Sequence, residues 1–132
     1  MSSPVAGLSR ALTEITARFF QAKLSLTPGR LEVLEHEGGD LIVIKVQGFL
    51  SKAEAGWATG PEGPKILSEY YGRLLEQLSP MLRVVVQEVA ERPLLECWPA
   101  LDLARDECLY VLTLGKTKGS GRASVQTSDD RE

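Results

Sequence analysis

Apolar residues at helical spacing open the chain. Leu8, Leu12, Ile15 and Phe19 recur three or four positions apart, and Ala11 and Phe20 widen the stripe. That pattern predicts an amphipathic helix over about Leu8 to Leu24. Arg10, Glu14, Arg18 and Gln21 fall mostly on its other faces, and Thr27-Pro28-Gly29 ends it. The period then changes to two. Arg30 to Glu37 places Leu31 and Val33 on one face and Glu32 and Leu34 on the other, and Leu41 to Gln47 places Ile42, Ile44 and Val46 together. Glu37-Gly38-Gly39-Asp40 between them is a tight-turn sequence, because glycine takes the positive φ that hairpin turns require. The two runs are expected to form an antiparallel hairpin.

Ser51 and Glu54 fit a capping box, in which each side chain satisfies an exposed backbone N–H of the other, so a short helix is expected there. Ala55 to Pro64 is expected to be loop, with three glycines and two prolines. A broad apolar stripe follows at helical spacing: Ile66, Leu67, Tyr70, Tyr71, Leu74, Leu75 and Leu78, then Met81, Leu82, Val85, Val86 and Val89. Ser79-Pro80 interrupts it, and one helix kinked there is preferred to two abutting helices. Leu94 to Leu103 and Glu107 to Leu114 read as a second hairpin joined near Ala104-Arg105-Asp106. Cys108, Tyr110, Leu112 and Leu114 share one face of the last strand, and Leu109 and Val111 on the other suggest a central position.

The expected fold is α+β, in the order α-β-β-α-α-β-β. A four-stranded antiparallel sheet with the N-terminal helix and the long kinked helix on one face buries every stripe. These residues leave open whether the two hairpins join one sheet. Residues 1–115 form a single domain in this reading, and the polar, Gly/Ser-rich stretch 116–132 is a disordered tail.

Composition narrows the function classes. The 132 residues are 43% hydrophobic and 25% charged, ordinary for one globular domain, and the net charge is −3. No Lys/Arg cluster is present to displace counterions from phosphates, so nucleic acid is not an expected partner. No apolar run approaches the roughly 20 residues of a membrane span, and the start lacks the form of a secretory signal, so the protein is expected to be soluble and cytoplasmic. Cys97 and Cys108 are not a CxxC pair and have no second pair for zinc. Free thiols are preferred to a disulfide for them.

Candidate chemistry is thin. His36 is the only histidine, at the end of a polar strand, and reads as a solvated surface residue. The Gly/Pro loop matches neither phosphate-binding glycine pattern. Trp57 in that loop is either a lid folded onto the core, which is preferred, or an exposed interface anchor. Trp98 on a strand reads as core or sheet surface. The pairs Glu35/Glu37, Glu88/Glu91 and Asp106/Glu107 have no apolar pocket to set them up for acid–base work. No catalytic residue, metal site or cofactor is expected. Tyr70, Tyr71, Leu74, Leu75, Leu78 and Leu82 make a stripe wider than one sheet face needs. That surplus points to a homodimer through the long helix, unless Phe19 and Phe20 of the opening helix cover it within one chain.

Order and spacing over Leu8 to Gly115 resemble a family. Ala17-Arg18-Phe19-Phe20 closes the opening helix. Leu41-Ile42-Val43-Ile44-Lys45-Val46-Gln47-Gly48-Phe49-Leu50 leads into Ser51-Lys52-Ala53-Glu54. Arg73 stands in the long helix, Gln87-Glu88-Val89 near its end, and Leu109 to Leu114 in the final strand. In these features the chain is similar to the family named for MpsC, of a sodium-translocating membrane-potential-generating system. It departs where the family usually has Gly-Arg before the third strand and this chain has Glu91-Arg92-Pro93, and in Pro80 and the insert-like Gly56-to-Pro64 stretch. The resemblance implies a soluble accessory of a membrane ion or inorganic-carbon transport complex, and implies no catalytic residue. Two readings follow. One is a non-enzymatic accessory or interaction domain, with Tyr70, Tyr71 and Leu78 at an interface. The other is a small-molecule sensor or enzyme with a pocket between sheet and helices near Glu54, Trp57 and Arg73.

Overall fold

A computed structural model describes residues 4–36 and 38–116. The proposed tail lies almost wholly outside these described residues. Helix α1 runs over Pro4–Leu24 and strands β1 and β2 over Arg30–Glu35 and Leu41–Gln47. Helices α2, α3 and α4 are Lys52–Ala58, Gly63–Glu76 and Leu78–Val85, the last running into a π-helical turn, Val86–Ala90. Strand β3 is Leu94–Asp102, a 3-10 turn is Leu103–Arg105, and β4 is Glu107–Leu114. The strands form one antiparallel sheet in the order β1-β2-β4-β3, so the two hairpins join through their second strands. The order and layering are those the hydrophobic pattern implies.

The core lies between the sheet and the helices. Ile42, Ile44 and Val46 of β2 and Cys108, Tyr110, Leu112 and Leu114 of β4 are buried on one face. Above them sit Leu8, Leu12, Phe19 and Phe20 of α1 and Tyr71, Leu75, Leu78 and Leu82 of α3 and α4. Helix α1 packs along α4 and the π-helical turn and over β1. A run of edge-to-face aromatic contacts links the layers: Phe19 to Phe20, Phe20 to Phe49 and Phe49 to Tyr71, with ring centroids 5.9, 5.9 and 5.1 Å apart. Such contacts add to what burial alone contributes. The opening helix thus covers the apolar residues of α4, and Phe49 packs on Tyr71 of α3, so contacts within one chain account for much of the stripe that otherwise points to self-association.

Several boundaries differ from the sequence reading. The hairpin strand β1 stops at Glu35, and the His36 N–H closes the turn onto the Leu41 carbonyl at 2.8 Å. The stretch expected as loop is mostly helix. Gly56 sits inside α2, where glycine is tolerated at about 1 kcal/mol, and Pro64 sits in the first turn of α3, where no N–H donor is needed. The helix breaks at Gln77, one turn before Pro80. A proline ring crowds the carbonyl four residues earlier and offers it no donor, so the disturbance falls at Glu76. The buried Tyr110 hydroxyl donates to the neighbouring Leu75 carbonyl and thereby satisfies an acceptor at the break.

Glu91 ends the π-helical turn at φ 58, ψ 36, the left-handed conformation that glycine adopts without strain. At the departure before the third strand, a glutamate thus stands in a backbone conformation that favours glycine. Arg92, the next residue, makes three hydrogen bonds. It donates through Nη1 to the Gly39 carbonyl at 2.9 Å, through Nε to the Gly115 carbonyl, and through Nη2 to Asp40. One guanidinium thus ties the β1–β2 turn to the end of β4.

Candidate functional site: the outer face of helix α3

The capping box is present as the sequence implies. Ser51 Oγ accepts from the Glu54 N–H at 3.1 Å, and Glu54 Oε1 accepts from the Ser51 N–H at 3.0 Å. The same Oε1 also accepts from the Tyr71 hydroxyl at 2.9 Å, which joins α2 to α3. Burial, then the bond to Glu54, pushes the Tyr71 hydroxyl well above its ordinary pKa, so it remains a neutral donor. Glu54 and Tyr71 are therefore brought together as a structural joint, and Leu78 is buried in the core.

Trp57 is turned outward, 55% exposed, and is no lid on the core. The reason lies at the α2–α3 junction. There the Trp57 backbone is pressed so close to Gly63 that a Cβ on residue 63 would stand 2.0 Å from the Trp57 carbonyl oxygen. Ala58, not Trp57, is the residue turned inward by this contact. Gly63 is a structural requirement that the Gly/Pro-rich composition hid among other glycines.

Tyr70 is 48% exposed and stands edge-on to Tyr71 at 5.0 Å, so it carries the aromatic run out to the surface. With Ile66, Glu69, Arg73, Leu74 and Gln77 it lines an open groove of about 340 Å³ along α3. Neither Glu54 nor Trp57 lines it. The structure thus groups Tyr70 with Arg73, separates both from Glu54, and places the groove on the outside of the helix rather than between helix and sheet. An exposed Tyr, an Ile, an Arg and a Glu along a single helix offer apolar anchorage beside both signs of charge, which suits a polypeptide partner.

Other polar groups serve the fold, while Thr16 Oγ1, buried in α1, finds no hydrogen-bond partner among the described residues. Asp106, left-handed at φ 53, accepts through Oδ1 from the Phe49 and Leu50 N–H groups at 2.9 and 3.0 Å. Its carbonyl accepts from the Gly48 N–H at 2.9 Å, so it fastens the β3–β4 turn to the exit from β2. An Asp in a turn that tolerates positive φ was the available sequence signal for this. Cys97 and Cys108 are free thiols. Burial raises both, Cys108 to about 12, so neither is a thiolate nucleophile at neutral pH. Among the described residues, no group of three or more His, Cys, Asp or Glu could hold a metal ion. No helix among them is long and apolar enough to cross a membrane.

A family model described as Na+-translocating membrane potential-generating system (MpsC) matches residues 7–116. No curated protein and no solved structure matches the chain.

Proposed function

The chain belongs to the Na+-translocating membrane potential-generating system (MpsC) family, and from that premise we propose that it is a non-enzymatic accessory domain. In this reading it docks on a membrane ion or inorganic-carbon transport complex through the outer face of α3. The observation that carries the docking site is the exposed Tyr70 beside Ile66, Arg73 and Glu69, on a helix whose opposite face is fixed in the core. A rigid helix presenting an aromatic anchor binds with little ordering cost. Free Cys97 and Cys108 support a reducing, cytoplasmic location. A homodimer is part of the same reading, but Tyr71, Leu74, Leu75 and Leu78 are interior, so its contact does not lie on that stripe.

A photo-crosslinking residue at position 70, in cells carrying the native transport system, tests the docking site. The expected product is an adduct with an integral membrane subunit, absent when the probe stands at exposed Glu88 on the π-helical turn. Equal labelling from both positions defeats the assignment. The competing sensor or enzyme reading predicts a small ligand that raises the melting temperature by binding the folded state alone.

A further inference from the structure

The helices cover one face of the sheet, and among the described residues nothing covers the other. Strand registers place four cross-strand rows on that outer face. The first holds Arg30, Gln47, Glu107 and Asp102, and the second Glu32, Lys45, Leu109 and Ala100. The third is apolar from edge to edge: Leu34, Val43, Val111 and Trp98. The fourth holds His36, joined to Leu41 by its N–H, then Leu41, Thr113 and Glu96. Leu34 is 51% and Trp98 50% exposed, one at each edge of the third row, and Leu41 adds to the same apolar surface. A continuous apolar band across all strands of a sheet marks an interaction surface.

We propose that this face seats a second copy of the same chain, sheet on sheet. The charge pattern selects that occupant. Outward side chains on edge strand β1 and its turn include Arg30 and His36, and those on the opposite edge strand β3 include Asp102 and Glu96. A two-fold axis lying along the strands, in the plane of contact, turns one edge onto the other. Arg30 then meets Asp102 of the second copy, His36 meets Glu96, Leu34 meets Trp98, and Val43 meets Val111. Glu32 stays with Arg30, its neighbour at 3.2 Å. Stacked sheets keep their strands within about 30° of each other, so this correspondence survives the twist. The size also fits. Four strands about 4.8 Å apart and about seven residues long give on the order of 450 Å² of flat footprint per copy. Both copies together, with side-chain relief, reach the roughly 1,000 Å² that a specific interface needs. The proposal is independent of the docking site on α3, which lies on the other side of the sheet.

Analytical ultracentrifugation from 1 to 100 μM tests it. The wild type is expected to sediment as a dimer, and Val111→Glu as a monomer with an unchanged circular dichroism spectrum, its dissociation constant raised at least a hundredfold. Leu34→Glu, at the edge, serves the same purpose if the central variant fails to fold. His36→Glu is expected to weaken the dimer several-fold, and adding Glu96→Lys to recover it. A wild-type monomer at 100 μM overturns the proposal, as does a dimer that survives both Val111→Glu and Leu34→Glu. A monomeric wild type that loses a membrane partner on Val111→Glu also overturns it, and assigns the face to that partner.

Discussion

Tyr110→Phe isolates the bond that accommodates the helix break. Tyr110 is fully buried, and its hydroxyl donates to the Leu75 carbonyl. Phenylalanine keeps the ring and its packing and removes only the donor. The Leu75 carbonyl then loses its side-chain donor in the core, at the point where the helix opens at Gln77. Leaving a buried acceptor unsatisfied costs about 1–3 kcal/mol. For an ordered domain of this size each kcal/mol lowers the melting temperature by about 4 °C. Thermal denaturation followed by circular dichroism is expected to show a fall of roughly 4–12 °C. A fall of 1 °C or less in the wild-type background refutes the argument, because it means that the carbonyl is satisfied without the hydroxyl.

Stability should fall at alkaline pH: Cys108 keeps its proton to about 12 when folded but ionises near 9.0 when free, so the unfolded chain alone releases it between those values. Each pH unit in that window removes about 1.4 kcal/mol, and Cys108→Ala should lessen the loss between pH 9 and 10 in urea titrations. Ser51→Ala removes the N-cap of α2 and should cost about 1 kcal/mol by the same titration; no change would mean that Tyr71 alone holds Glu54 and α2 in place. Glu91→Gly should stabilise by roughly 0.5–1 kcal/mol, because it relieves a left-handed glutamate at φ 58, and a destabilised variant would show that the Glu91 side chain makes a contact worth more than the strain.

How much of this was legible beforehand depended on the range of the interaction. Period and punctuation are local, so α1, the two hairpins, the Ser51/Glu54 box and the disturbance near Pro80 could be read from neighbouring residues. Gly63 could not, because its requirement comes from the Trp57 backbone across a junction, and a glycine among glycines carries no mark. Trp57 departs from expectation for the same reason: the average tendency of tryptophan to be buried yields to the geometry of that junction. Tyr71 and Leu78 read as surplus against one sheet face alone, whereas Phe49 packs on Tyr71 and the opening helix packs along α4, which holds Leu78. Arg92 and Tyr110 act on partners far along the chain, and no local pattern announces them.

The most direct test of the proposed role uses a strain whose own copy of this gene is deleted. Its membrane potential is measured with a voltage-sensitive dye in sodium-containing medium, after complementation with wild type or with a Tyr70→Glu, Arg73→Glu variant. Both positions are exposed, so the variant should fold with a melting temperature within 2 °C of wild type, by the small effect usual for surface substitutions. The account predicts that the wild type restores the potential and the folded variant does not. Full restoration by the variant would contradict docking through α3.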